Sequence, residues 1–492
     1  MVWMLVAGGA GAEEGRVSPS STAPVVYRGA VVSQYGIEWH FDKKHFVGTF
    51  ANGDYWVVGP VRIVETVPAF DGGDHGWEVN PRVSGPQGFA ADLGDFDPRL
   101  VPALPYRARP GESIVKTIRS AAAPSGKNCR KCLKVAAVLT VVDRIPPDSG
   151  RTVFRPPYVA AGKPLYRVRD LRTDRLPALR QVFVAPPLVW VERAFGKVQL
   201  DHKGGRLGRN CHPLDNMPDY GADIARRNAD GCLRLMLDDP LPRKRTALIA
   251  YVQYGIDLYH MVLDGQTWPA GGGHRPGQKL VLAFAAALLD EPGMRRVVGE
   301  SDFFHENKLL YRSEVTGQAL FGTARGYDRQ RLERQYWRGV FEHAVGGGTG
   351  GYKAYRDPYG YIDGGYVPGA GYQYCCISQP WKGEALACLL MPSLKQLWND
   401  EAFFEYVDRW VAFGTWALPD PCAPVDSAWE LYGHTFGPDG RGGCIADRDT
   451  TDGVGRFPAR HGSERDGGGR YSAFQAAMWD AYRDEVEKSS KR

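Results

Sequence analysis

A change of hydrophobic period along the chain limits its fold more than any other feature. From about residue 25 to 155 the apolar residues fall in short, partly alternating runs: Val25–Tyr27, Gly36–Phe41, Tyr55–Val58, Val61–Val64, Ser113–Ile118 and Val135–Val142. These runs are rich in β-branched and aromatic residues, as strands require. Ala51-Asn-Gly-Asp54 between two of them carries the Asn-Gly chemistry of a hairpin turn. From about 175 onward the apolar residues recur at i, i+3 and i+4. This pattern predicts helices over Tyr220–Leu237, Lys244–Leu263, Lys279–Leu289, Met294–Tyr311, Arg331–Ala344, Trp381–Leu390, Ala402–Trp416 and Ser472–Glu487. Pro240, Pro242, Pro292 and Gly293 punctuate them.

The expected fold class is therefore mainly α: an (α/α) toroid or incomplete barrel with an N-terminal β-rich region. The β-rich domain is expected over residues 25–160 and the helical, catalytic domain over 175–492. Residues 418–470, rich in Gly, Asp and Arg, read as a long surface excursion. No repeat of fixed period is present, which disfavours a solenoid.

Composition narrows the class of partner. Sixty Gly and 35 Pro predict long shaped loops, and 13 Trp with 24 Tyr lean towards sugar faces. The net charge of +5 suits a polyanionic substrate. No Lys/Arg block is present, so nucleic acid is not expected as a partner. Outside the N-terminus no run of 18 apolar residues occurs, and no membrane span is expected. Residues 1–24 read as a signal-like or disordered N-terminus, with Ala10-Gly-Ala12 as a small-residue cleavage site and a secreted or periplasmic location implied. Cys129-Arg-Lys-Cys132 has no second pair at zinc-site spacing, and burial as small apolar groups is expected of Cys375-Cys376.

The loop Gln266-Thr-Trp268-Pro-Ala-Gly-Gly-Gly-His274-Arg275-Pro-Gly-Gln-Lys279 lies between two predicted helices. Glycine permits close backbone approach, imidazole exchanges protons near neutral pH, and guanidinium grips a carboxylate through paired hydrogen bonds. His274 is thus a candidate to remove a proton α to a carboxylate, to steady that carboxylate or to tune a neighbouring base, and Arg275 and Trp268 are candidate substrate contacts. Thr323-Ala-Arg325-Gly-Tyr327 offers Tyr327 as the preferred base, ahead of His274, and as donor to the departing oxygen, with Arg325 as a carboxylate contact. A phenol ordinarily titrates near ~10, and cationic neighbours favour its ionised form. Tyr366 and Tyr372, on a Tyr/Gly-rich loop, and Trp77 and Asn80, in Gly76–Asn80, are candidate sugar contacts. Asn210-Cys211-His212 with Asp215, Asn216 and Asp219 contains ligand-type side chains but no recognised metal spacing. Asp219 reads instead as a cap for the helix that follows. No metal or other cofactor is expected.

Taken together, Phe50–Pro60, Gly76–Pro81, Phe154–Tyr158, Gly255–Leu258, Trp268–Gly277 and Tyr372–Cys376 with Trp381 and Gly383 resemble bacterial proteins related to polysaccharide lyase family 38, which contains alginate and glucuronan lyases. The resemblance runs over roughly residues 25–415. It implies an (α/α) barrel and metal-free β-elimination by Tyr and His, with the Gly-Gly-His motif at His274 and the Tyr and Arg at Tyr327 and Arg325. The chain departs from the pattern at Gly273–Gln278 and at Phe304–Asn307. The expected function is β-elimination on a uronate polymer. The alternatives are an inverting glycoside hydrolase, with Asp257, Glu306, Asp328 and Asp363 as candidate carboxylates, and a non-catalytic glycan-binding protein.

Overall fold

The computed structural model describes residues 26–119, 133–202, 211–269, 272–312, 317–322, 373–414, 431–432, 441, 457–458 and 470–490. The first of these build one sheet from β1 (Val26–Gln34), β2 (Ile37–Thr49), β3 (Tyr55–Val58), β4 (Val61–Val67), β5 (Trp77–Val79), β6 (Tyr106–Ala108), β7 (Ser113–Arg119) and β8 (Leu133–Val142). Seven strands run in the order β5-β7-β8-β3-β2-β4-β6, and β1 pairs with β2 as the eighth. Every pairing is antiparallel except β3 with β8.

β2 organises the sheet. Ile37, Trp39 and Phe41 point inward and Glu38 and His40 outward, the period of two read from the sequence. Its first half pairs with β4 and its last residues with β3, across a register break after His40. The Phe50–Asp54 turn closes the β2–β3 hairpin where the Asn-Gly pair stands. The sheet curls into a half-barrel around Val32, Trp39, Val57, Ile63, Trp77, Ile114 and Leu139.

The helices are α1 (Leu188–Phe195), α2 (Gly221–Leu235), α3 (Leu241–Leu263), α4 (Gln278–Leu289), α5 (Pro292–Glu300), the single-turn α6 (His305–Lys308), α7 (Ser378–Leu390), α8 (Pro392–Trp398), α9 (Glu401–Phe413) and α10 (Ala473–Ser490). α3 packs on α1 and α4, while α7 packs on α2 and α10. Among the described residues no helix is long and apolar enough to cross a membrane.

The mainly-α toroid expected from the sequence is not what forms. The molecule is an N-terminal β half-barrel with a helical C-terminal part, and the two share one core. On β7 and β8, Val115, Ala136 and Val138 face the helices while Ile114, Val135 and Leu139 face the half-barrel interior. A strand buried on both faces is a layer of the core, not an appendage. The helix expected over Met294–Tyr311 also breaks. α5 ends at Glu300, α6 makes one turn, and Leu310–Arg312 pairs as β9 with β10 (Ala319–Phe321). The expected helix Arg331–Ala344 and most of the 418–470 excursion lie outside the described residues.

A buried ion network ties the sheet to the helices. Arg155 is fully buried, and its Nε donates to Asp54 at 2.6 Å while its Nη2 donates to Asp257 of α3. Gln253 of α3 exchanges two hydrogen bonds with the Arg155 backbone, at 2.9 and 3.1 Å. Pairing of this kind is what lets a charge persist in an interior.

Candidate functional site

The loop between α3 and α4 carries His274 and is fastened on three sides. On the first side stands Asp201. Its Oδ2 accepts from Trp268 Nε1 at 3.1 Å and Gln278 Nε2 at 2.8 Å, and its Oδ1 pairs with His212 Nε2 at 2.8 Å. Gln266 Nε2 adds a bond to the Asp201 carbonyl at 2.7 Å. Burial works to raise this carboxyl's pKa, yet His212, Gln278 and Trp268 together hold it below the usual carboxylate range.

The second side is α6. His305 Nε2 donates to the Gly272 carbonyl at 2.6 Å, and Glu306 Oε1 accepts from the Gly277 N–H at 2.7 Å. Behind Glu306 lie Lys279 and Glu384. Lys279, almost fully buried, donates to Asn307 Oδ1 at 3.0 Å and the Trp398 carbonyl at 3.2 Å. Burial pushes Glu384 well above the carboxylate range and the Glu306 charge adds to this, so Glu384 is the neutral member of the pair.

The third side is the start of α2, and it explains the glycines. A Cβ on Gly273 would stand 2.2 Å from the Tyr220 hydroxyl oxygen and 2.9 Å from Cys376 Cβ. One on Gly277, where φ is +107°, would stand 2.4 Å from Ala225 Cα. The Ala222 N–H donates to the Gly273 carbonyl at 2.8 Å. These glycines therefore serve approach of the loop to α2, where the sequence suggested approach to a ligand.

His274 and Arg275 emerge half-buried from this frame. The His274 ring meets Tyr220 edge to face, with centroids 5.3 Å apart. The Arg470 guanidinium lies 4.7 Å from the centroid of the same tyrosine and is held by Asp223 of α2 through two 3.2 Å hydrogen bonds. Ser472 and Gln475, bonded to Asp230 at 2.7 and 2.9 Å, dock the segment that brings Arg470 here. An imidazole and a guanidinium thus lie against one phenol, groups of the kind that bind a carboxylate and move a proton beside it.

The other sequence candidates divide. Trp268 is buried, stacked on Phe304 at 6.0 Å and 8°, and bonded to Asp201, so its faces are spent on packing and the sugar-platform reading is corrected. Trp77 is likewise a core side chain, edge-on to Tyr106 at 5.6 Å within the half-barrel. Asn80 takes a φ of +48° and its Oδ1 accepts from the Ser113 N–H at 2.9 Å, which fixes the end of β5. Tyr327, Arg325, Tyr366 and Tyr372 lie outside the described residues, as do Asp328 and Asp363. Of the hydrolase carboxylates, Asp257 belongs to the Arg155 network and Glu306 to the loop.

His212 is the partner of Asp201, and among the described residues no group of three or more His, Cys, Asp or Glu side chains is arranged to hold a metal ion. Asp219 does not cap α2, whose N-cap is Tyr220 without a side-chain bond. Cys376 is disulfide-bonded, contrary to the expectation of a plain buried thiol. Sequence reasoning missed Tyr220, Asp223, Arg470 and Asp201. Only the Tyr220-Gly221 pair at a helix start left a trace; Arg470 stands far along the chain from His274.

No protein-family model, no curated protein and no solved structure matches this chain.

Proposed function

We propose that this protein is a polysaccharide lyase that cleaves a uronic-acid polymer of alginate or glucuronan type by β-elimination. The observation that carries this reading is the half-exposed imidazole of His274 held against Tyr220, with Arg470 on the same ring and Arg275 next in sequence. A guanidinium pairs with the uronate carboxylate and stabilises the negative charge that grows there as the C5 proton leaves. His274 takes that proton, the C5–H electrons form the C4–C5 double bond, and the bond from C4 to the bridging oxygen breaks. A tyrosine hydroxyl returns a proton to the departing oxygen. The family resemblance assigns this tyrosine to Tyr327 and a carboxylate contact to Arg325. The products are an unsaturated uronate end and a free hydroxyl.

The hydrolase alternative has less support. It requires two carboxyl groups about 6.5–9.5 Å apart flanking the sugar bond; of its four candidates, Asp257 and Glu306 are buried and engaged in structural bonds, and Asp328 and Asp363 lie outside the described residues. The disulfide at Cys376 favours an oxidising compartment and hence a secreted or periplasmic enzyme. The test is incubation with alginate, glucuronan and related uronate polymers, following the ultraviolet absorbance of the conjugated product. The wild type is expected to generate it and His274→Ala to lose it. A folded wild-type protein that forms no unsaturated product from any uronate polymer overturns the reading.

A further inference from the structure

We infer that the consecutive residues His305 and Glu306 are positioning residues that set the placement of the His274 imidazole. They reach it from opposite ends of its loop: His305 through the Gly272 carbonyl at 2.6 Å and Glu306 through the Gly277 N–H at 2.7 Å. The inference rests on the functional reading of His274, but the clamp itself is a matter of geometry.

Gly272 and Gly277 both take positive φ, +62° and +107°, conformations open to glycine and strained for other residues, so the backbone there is set by the bonds it makes. Each end has one polar backbone group fixed by a fully buried side chain. A carbonyl accepts only a proton-bearing nitrogen, so His305 carries its hydrogen on Nε2. Its Nδ1 is buried and has no hydrogen-bond partner among the described residues. The ring is also braced edge-on by Trp381 at 5.7 Å. Burial raises the pKa of the Glu306 carboxyl, while the Gly277 N–H and the nearby Lys279 favour its charged form. Both oxygens of Glu384 are buried with no hydrogen-bond partner among the described residues. A carboxyl so placed favours its protonated form. The single turn of α6, which breaks the longer helix expected here, exists to present two adjacent side chains to one loop. Both residues are buried, His305 and Glu306 alike, and their hydrogen bonds go to the loop that carries His274, so they act through it.

The test uses the full-length protein labelled with ¹³C-histidine. The His274 ring Cε1–H signal is assigned by its loss in His274→Gln. Glu306→Ala removes the acceptor, and Glu306→Asp withdraws it by one methylene for use if the alanine variant does not fold. Glu306→Gln keeps an acceptor oxygen without the charge. The His274 signal is expected to split or broaden in Glu306→Ala or Glu306→Asp, and to stay single near its wild-type position in Glu306→Gln. With an active enzyme, kcat is expected to fall about 100-fold in Glu306→Ala with KM little changed, as displacement of a catalytic group by about 1 Å costs. Glu306→Gln is expected to recover most of that loss. A folded Glu306→Ala or Glu306→Asp variant with an unmoved His274 signal overturns the clamp. A wild type that is inactive on every uronate polymer, but whose His274 signal responds as described, overturns the lyase reading and leaves the clamp standing.

Discussion

Gly221 and His274 meet backbone to backbone: a Cβ on Gly221 would lie 2.3 Å from both the carbonyl carbon and the carbonyl oxygen of His274. The first turn of α2 is therefore a template for the loop. Gly221→Ala is expected to push the two apart at an overpacking cost of about 1–3 kcal/mol and to displace His274. Gly299→Ala in α5, whose nearest neighbour would be 3.6 Å away, is expected to be neutral or to stabilise by up to about 1 kcal/mol. Denaturant unfolding of the two variants checks this. Equal stability of Gly221→Ala and wild type would show that the loop has room to yield.

Three buried histidines make stability depend on pH. Burial lowers His202 to about 3, His305 to about 3 and His260 to about 4. Each is neutral in the folded protein and takes up a proton on unfolding once the pH is below the ordinary value of 6.5. The unfolded state binds more protons in that window, so stability rises with pH. The full contribution is present above about 6.5 and is lost as the pH falls towards 4 and then 3, at up to about 1.4 kcal/mol per pH unit for each group. Unfolding free energies at pH 7 and pH 5 are expected to differ accordingly. His202→Phe, which retains a ring against Tyr158 (now stacked 5.4 Å away), is expected to reduce the slope. An unchanged slope would place the proton uptake elsewhere.

Asp201 works in a lower window. Its depressed pKa means that its contribution is complete above the unfolded value of 3.8 and disappears as the pH falls through the folded one. Asp201→Ala is expected to destabilise the protein at pH 7 by about 3 kcal/mol or more, because it leaves Trp268, Gln278 and His212 without their common acceptor. Acid unfolding below pH 3.8 in the wild type, shifted upward in the variant, is the measurement.

Arg155 separates two buried carboxylates. Arg155→Met is expected to cost about 3–5 kcal/mol, since Asp54 and Asp257 then remain buried without a counter-charge. Adding Asp54→Asn and Asp257→Asn is expected to return part of that loss. Thermal unfolding of the single and triple variants checks it; additive losses would show that the network is not coupled.

Arg470 tests the substrate class. Arg470→Ala is expected to raise KM for a uronate polymer roughly tenfold, the worth of a hydrogen bond to a charged group, with a smaller change in kcat. Asp223→Ala, which removes the guanidinium's 3.2 Å partner, is expected to lower KM. Steady-state kinetics at two salt concentrations separates the charge effect from displacement of the C-terminal segment.

Local periodicity told much about elements and little about architecture. The hairpin at Phe50–Asp54, the paired strands β7 and β8, and helices α2, α3, α4, α7, α9 and α10 lie within a few residues of where alternation and i, i+3, i+4 spacing place them. The helix over Met294–Tyr311 failed because apolar spacing does not register what ends a helix. There the chain instead places His305 on the Gly272 carbonyl and Glu306 on the Gly277 N–H.

The sequence by itself determined where the hairpin, the paired strands β7 and β8 and most of the longer helices lie, and that an imidazole would sit among glycines between two helices. Tertiary structure alone decided that the sheet would be a layer of the common core, that Trp77 and Trp268 would be packing residues, and that Tyr220 would contact both His274 and Arg470. The physical reason is range. Period and turn chemistry act between residues a few positions apart, whereas burial on both faces of β8 or the docking of Ser472 on Asp230 joins residues whose separation along the chain carries no local signal.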